Sequence, residues 1–200
     1  MSANDIVAWG TAGAALVALA GVFWGIYQYT KGLKIQRQQV LFGLIKELND
    51  NEKLDYAKQL LGYGHVLYQR DSKDPNTRRD YKVDDLIFLK NPKEYKDDEG
   101  EIEIKDSLDS FIVFLGTVGY SLQVGAIAAN EVTYFQYWIH RTIDNQGVMN
   151  YASSKEFPLF LILVKELLKP KILDKWNLTE KELNQTRKNL EKYENTNEKK

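Results

Sequence analysis

Residues 6–30, IVAWGTAGAALVALAGVFWGIYQYT, carry no Asp, Glu, Lys or Arg. Wound as one helix, these 25 residues would rise roughly 37 Å at 1.5 Å per residue. That exceeds the ~30 Å hydrocarbon layer of a bilayer. A soluble core helix rarely runs so far without a charge, so the pattern predicts a single transmembrane helix. Trp9 sits near one end of the run, and Trp24, Tyr27 and Tyr29 near the other. Such rings suit the two membrane interfaces, where an apolar face meets lipid and a polar edge meets headgroups. Lys31, Lys34 and Arg37 follow at once, whereas residues 1–5 hold only Asp5. The positive-inside rule then puts the N-terminus outside and the rest of the chain in the cytoplasm, anchored in the plasma (inner) membrane.

A cleaved signal peptide is the competing reading, because Ala18-Leu19-Ala20 has the small-x-small form of a cleavage site. No basic n-region precedes it, and the apolar run continues well past it. Within the run, Ala14, Ala18, Gly21 and Gly25 follow a 4-3-4 spacing along one helical face. Small residues there let a second helix approach to backbone contact, so a homo-oligomer formed through this face is expected.

The remainder reads as one helical domain. Leu33, Val40, Leu41, Leu44, Ile45 and Leu48 recur at helical spacing until Asn49-Asp50-Asn51 breaks the pattern. A short helix is expected over residues 52–61, ending near Gly62 and Gly64, with His65 in an aromatic run behind it. Residues 71–80 read as a loop, residues 81–89 as either a short helix or a strand, and residues 91–103 as a charged insertion.

The strongest core signal is Leu108, Phe111, Ile112, Leu115, Val118 and Leu122, one face of a helix starting near Asp106-Ser107 and stopping at Gly125. Residues 110–130 are again uncharged, so a second span competes. Its glycines and polar residues argue against insertion, as does the lysine-rich segment it would export. Asn130-Glu131 opens an aromatic helix through Tyr134, Phe135, Tyr137, Trp138 and His140, closed by Asp144-Asn145-Gln146-Gly147. Ser153 and Ser154 are expected to cap a further helix, apolar nearly all round, that contains Pro158 and ends at Lys169-Pro170. Thr179-Glu180-Lys181-Glu182 has capping-box form and starts a polar terminal helix with a thin apolar stripe of Leu183, Leu190 and Tyr193.

The fold class expected is therefore all-α, a single N-terminal transmembrane helix followed by a small cytoplasmic helical bundle. Its parts are an external N-terminus (1–5), the span (6–30), the helical domain (31–176), and a polar helix with a frayed tail (177–200).

The stretches LDSFIVFLGTVGYSLQVG, from Leu108, and ANEVTYFQYWIH, ending at His140, resemble an uncharacterised bacterial family of membrane-anchored helical proteins, the domain of unknown function 4760 type. The resemblance implies an N-terminal anchor followed by an apolar helix, a Gly-containing turn and an aromatic-rich helix. It implies no activity. Where such proteins often carry an acid in the first apolar helix, this chain has Gly116 and Gly119.

Little points to chemistry. Net charge is −1, from 27 basic and 28 acidic residues, which argues against a chain dedicated to nucleic acid. The absence of cysteine removes thiol nucleophiles, disulfides and Cys-ligated zinc, and fits a reducing compartment. Two histidines, His65 and His140, leave a metal site dependent on carboxylates. Neither standard phosphate-binding glycine loop occurs, and G-x-S-x-G and H-E-x-x-H are absent. No catalytic, cofactor-binding or metal-ligating residue is assigned, and no cofactor. The residues singled out are the association face, Ala14, Ala18, Gly21 and Gly25, and the interface anchors, Trp9, Trp24, Tyr27, Lys31, Lys34 and Arg37. The expected function is an interaction or scaffold module whose partners are the bilayer, a second copy and a cytoplasmic protein. The alternatives are a membrane-tethered hydrolase using carboxylates and a small membrane-perturbing effector or pore.

Overall fold

The computed structural model describes residues 3–69, 78–90 and 99–198, the side chains of residues 3–19, 85 and 87 excepted. Helix α1, Ala3–Asp50, is continuous. The chain divides into two units after Val40, so residues 41–50 of α1 belong to the second unit. There Leu41, Leu44 and Leu48 are buried in the domain core.

The helix stops where the asparagines predict. The Asn51 side chain accepts a hydrogen bond from the Lys53 amide at 3.1 Å and caps a 3-10 turn, Glu52–Leu54. Such a side chain offers the backbone an alternative to continuing the helix. Helix α2, Asp55–Tyr63, closes on Gly64, whose φ of 76° is left-handed and whose N–H reaches the Leu60 carbonyl at 2.9 Å. Only glycine takes that conformation without steric cost, which makes it a common helix terminator.

Beyond Gly64 the mostly helical chain carries one short hairpin. Strand β1, His65–Gln69, pairs antiparallel with β2, Arg78–Lys82, with His65 opposite Lys82 and Gln69 opposite Arg78. Val66 and Tyr68 point into the core, whereas β2 is largely exposed. Residues 78–80, expected in a loop, are thus strand, and residues 81–89 divide among the end of β2, a 3-10 turn Val83–Asp85 and the start of α3, Ile87–Lys90. The expected insertion over 91–103 lies outside the described residues up to 98.

Helix α4, Glu99–Gln123, begins well before the expected Asp106-Ser107 start. Glu99 and Glu101 in its first turn favour that position, since carboxylates stabilise the positive end of a helix dipole. It ends as expected, with Gly125 at φ 73° and its N–H on the Leu122 carbonyl. A 3-10 turn, Glu131–Phe135, leads into α5, Gln136–Asp144, and the Glu131 carboxylate reaches back to the Ala128 amide at 2.6 Å.

Helix α6, Gln146–Lys155, was not foreseen. Asn145 caps it by accepting from the Val148 amide, so Ser153 and Ser154 lie inside α6 and cap nothing. Helix α7, Pro158–Leu168, instead starts with proline in its first turn, where the missing N–H costs no hydrogen bond. After a 3-10 turn, Leu173–Lys175, helix α8, Glu180–Asn197, opens on a complete capping box between Thr179 and Glu182. The domain is therefore mostly helical, with one two-stranded hairpin.

Its core centres on α4. Leu108, Phe111, Ile112, Leu115 and Val118 are all fully buried, as the spacing predicts. Gly116 and Gly119 explain how α7 comes so close. A Cβ on Gly116 would lie 2.6 Å from Leu159 Cβ, and one on Gly119 2.5 Å from Leu163 Cβ. Because 116 faces 159 and 119 faces 163, the two helices run in the same direction. Phe111 meets Trp138 and Phe114 meets Phe135 in edge-on contacts, which seats the aromatic segment on α4.

Among the described residues, no helix is long and apolar enough to cross a membrane. Helix α4, described in full, is one of these, and its apolar stripe is spent on the domain core. The expected span over residues 6–30 falls mostly on side chains outside the described residues.

Candidate functional site

Trp9, Ala14 and Ala18 belong to α1, and their side chains lie outside the described residues. Of the rest of the expected association face, Gly21 and Gly25 have nothing within 4 Å of where a Cβ would stand, and neither has Gly32. Trp24 and Tyr27 are exposed, with ring centroids 5.8 Å apart. Lys31, Lys34 and Arg37 are also exposed. Val22 (59%), Phe23 (70%), Trp24 (64%) and Ile26 (56%) are all more than half exposed. Near-consecutive residues on a helix point in different directions around it. This apolar surface therefore surrounds the helix rather than forming one stripe.

The domain leaves fewer apolar side chains uncovered. Val113 and Tyr120 fall at i and i+7 on the outer face of α4, and Val124 is exposed in the turn that follows it. Tyr63, Tyr134 and Tyr137 are exposed as well. Tyr137 stands edge-on to Trp138, with centroids 4.9 Å apart, and the Arg141 guanidinium lies 5.5 Å from its ring centre. A Cβ on Gly62 would come within 3.8 Å of both the Tyr137 hydroxyl and the Trp138 ring. That places the end of α2 beside this aromatic group.

The ionisable residues form separate clusters. Tyr151, buried beside Phe88, donates to Asp109 Oδ1 at 2.5 Å, and Lys105 Nζ lies 3.0 Å from Asp109 Oδ2. Burial works to lower the Lys105 ammonium, but the bond and charge of Asp109, helped by Asp106, outweigh it and hold the group above its usual range. On α5, His140 Nε2 sits 3.2 Å from Asp144 Oδ2. Burial pushes the Asp144 carboxyl up and the adjacent Glu182 adds to this, partly offset by His140. Glu182 is itself held low by the hydroxyl and amide of Thr179. His140 and Glu131 make no pair; Glu131 is committed to the Ala128 amide. His65 Nδ1 contacts Asp80 at 3.0 Å across the hairpin.

Two concavities flank these clusters. A groove of about 520 Å³ between the 52–56 segment and α4 is lined by Glu52, Glu103 and Asp106 with Tyr56. All three carboxylates are exposed. Burial, Glu103 and Asp55 push the Tyr56 hydroxyl up, so it is an un-ionised donor at neutral pH. A cavity of about 300 Å³ lies between α6 and α8. Among the described residues no group of three or more His, Asp or Glu side chains is arranged to hold a metal ion.

No family model, curated protein or solved structure matches this chain. The aromatic surface and the α6–α8 cavity were not foreseen from the sequence. Tyr63, Tyr134 and Tyr137 are ordinary members of aromatic runs there, and only tertiary packing separates them from the half-buried Trp138 and the buried Phe135.

Proposed function

We propose that this chain is a membrane-anchored interaction module. Residues 6–30 form the anchor in the plasma (inner) membrane, with the N-terminus outside and the helical domain in the cytoplasm. The domain meets a protein partner through Tyr63, Tyr134 and Tyr137. The chain also self-associates in the bilayer through Ala14, Ala18, Gly21 and Gly25.

The observation that carries this reading is the exposure of Val22, Phe23, Trp24 and Ile26 around the circumference of α1. A one-sided partner would need one apolar stripe. Apolar side chains on every side suit a surrounding apolar medium. The sequence supplies the rest, since the uncharged run starts at Ile6 and meets its first cations at Lys31, Lys34 and Arg37. Gly32 extends the open small-residue face of Gly21 and Gly25 by one further heptad.

The test is a compartment-sensitive reporter fused after residue 200, combined with alkaline extraction of membranes. A cytoplasmic signal in the extraction-resistant pellet is expected. A soluble product that starts after Ala20, or an external signal, would overturn the reading. A photo-crosslinker at Tyr134 or Tyr137 should then yield one discrete adduct that is absent when it is placed at the exposed Lys181.

A further inference from the structure

Helix α8 lies on α5, α6 and α7, yet its buried side chains are only Thr186, Leu190 and Tyr193. These stand at i, i+4 and i+7, one narrow stripe of a helix whose other faces are mostly solvated. Leu183 adds partial cover near the start. Within the stripe Leu190 alone is wholly apolar.

The hydroxyls of the stripe are sealed in without partners. Thr186 is fully buried and Tyr193 is 3% exposed. Neither Thr186 Oγ1 nor the Tyr193 hydroxyl has a hydrogen-bond partner among the described residues. The same is true of Trp176 Nε1, in the buried residue at the turn before α8. Burial pushes the Tyr193 phenol up, so its hydroxyl keeps a proton that it does not share. A buried polar group without a partner costs the desolvation of that group with nothing in return, and native structures hold few of them.

The polar contacts that do hold α8 are weak ones. Arg187 pairs with Asp174 and Lys165 with Glu198, both in solvent. Exposed pairs of this kind add little. Asn189 Nδ2 donates to the Ile143 carbonyl at 3.1 Å. The space of about 300 Å³ between α6 and α8 leaves the contact incompletely filled. The connection from α7 turns at Lys171, whose φ of 72° is left-handed and unfavourable for an L side chain. An element with so few buried apolar contacts opens locally, at a lower free energy than the domain as a whole.

We propose that α8 is a releasable strap over a helix-binding groove on α5, α6 and α7, and that the groove's partner is an amphipathic helix with apolar side chains where α8 carries Thr186 and Tyr193. The register of the groove is given by α8 itself, which seats i, i+4 and i+7 against it as helix-in-groove ligands do. A partner helix without the two hydroxyls makes the same contacts and buries no unpaired donor, so it fits the groove better than α8 does. Helix α8 keeps its place because it is tethered, and a covalent link supplies a high effective concentration. Its release bares Phe160, whose ring meets that of Tyr193 edge-on at 5.3 Å. Neither the anchor nor the exposed tyrosines take part.

Two measurements on the full chain in neutral detergent micelles test the strap and the groove. Hydrogen exchange, read by fragment mass spectrometry, should show residues 183–197 exchanging as one unit, roughly a hundredfold faster than residues 108–118 of α4. Thr186→Val with Tyr193→Phe should slow that unit about fivefold, because two unpaired hydroxyls are removed and the shapes kept. Lys181→Met should leave it unchanged. Exchange of α8 at the rate of α4 overturns the strap, as does faster exchange in the double variant. The groove is probed by fluorescence anisotropy with a labelled peptide of residues 178–198 that carries the same two changes. Leu190→Ala in the chain loosens its own α8, and continued protection of residues 108–118 shows that the rest stays folded. Saturable binding is expected, about fivefold tighter than for the peptide of unaltered sequence and weaker on the chain that keeps Leu190. Arg187→Ala, which loosens α8 without touching the core, should give the same order of affinities. No saturable binding to either loosened chain overturns the groove. Tighter binding of the unaltered peptide assigns the groove to α8 of a second copy, and overturns the more apolar partner.

Discussion

Two close pairs of helical glycines, one on α1 and one on α4, have opposite surroundings. Gly21 and Gly25 on α1 have nothing within 4 Å of where a Cβ would stand. Gly116 and Gly119 on α4 would each drive a Cβ into α7. The apolar neighbours follow the same division. Phe23 and Trp24 are exposed, whereas Phe111 and Phe114 are buried. Composition alone does not distinguish the stretches that carry them, since residues 6–30 and 110–130 are both long, uncharged and glycine-bearing. What separates them is a partner element within the chain. Helix α7 is apolar, sits on the domain side and fits the α4 glycines. Among the described residues nothing plays that part for Gly21 and Gly25.

The same substitution made in both places should have opposite effects. Gly119→Ala should destabilise the domain by about 3 kcal/mol or more, at the upper end for overpacking, because the obstruction is the backbone of Leu163 as well as its side chain. Gly25→Ala should be neutral or slightly favourable to the helix, since alanine is about 1 kcal/mol better than glycine in a helix interior. Urea unfolding of the full chain in neutral detergent, followed by circular dichroism, measures both. Equal effects would mean that the α4–α7 crossing is looser than it stands.

How much of this was legible follows from which signals are local. The end of α1 at Asp50, the stop at Gly125 and the Thr179–Glu182 box are written in a few adjacent residues, and each stands as read. The buried stripe from Leu108 to Val118 was legible from periodicity. The hairpin was not. Arg78-Arg79-Asp80-Tyr81-Lys82 has no apolar alternation, and it becomes a strand only by pairing with β1. Helix α6 was missed because Ser153 and Ser154 imitate caps, whereas Asn145 eight residues earlier does the capping. Gly116 and Gly119 read as departures from a familiar pattern, and their role depends on Leu159 and Leu163, more than forty residues away. The exposed tyrosines and the α6–α8 cavity are tertiary facts of the same kind.

A second prediction tests how tightly the packed side is specified. Tyr151→Phe keeps the ring against Phe88 and removes the donor to Asp109. A loss of about 2 kcal/mol is expected, within the range for hydrogen bonds to charged groups. Asp109→Asn in the same background should then add little, because the two changes share one interaction. A full second loss would show that Asp109 is held chiefly by Lys105.

On the open side, Gly21→Leu with Gly25→Leu should leave domain unfolding unchanged and weaken self-association in micelles or bilayers about tenfold, or ~1.4 kcal/mol. Cross-linking across a protein-to-detergent dilution series reads this directly. An unchanged dimer fraction would remove the small-residue face from the proposal. A monomeric parent chain would remove self-association altogether.

The smallest effect concerns α8, where packed and open meet in one helix with a thin apolar stripe. Thr179→Ala should cost about 1 kcal/mol of stability, as the loss of an N-cap hydroxyl usually does. It should also change the acid limb of the pH profile. The Glu182 carboxyl is held low by the Thr179 hydroxyl and amide, so its contribution is fully present above the ordinary glutamate range and is lost as pH falls through the depressed value. Removing the hydroxyl brings that carboxyl back toward its ordinary range, and the acid-induced fraying of α8 should become shallower and begin at higher pH. Asp144 works in the opposite sense. Burial pushes it up, so its contribution is present below the ordinary aspartate range and is lost as pH rises through the raised value. Thr179→Ala should therefore unmask a weak rise in stability on mild acidification, which Asp144→Asn then abolishes. If the double variant keeps that rise, it originates in a group other than Asp144, and α8 is coupled to α5 by packing alone.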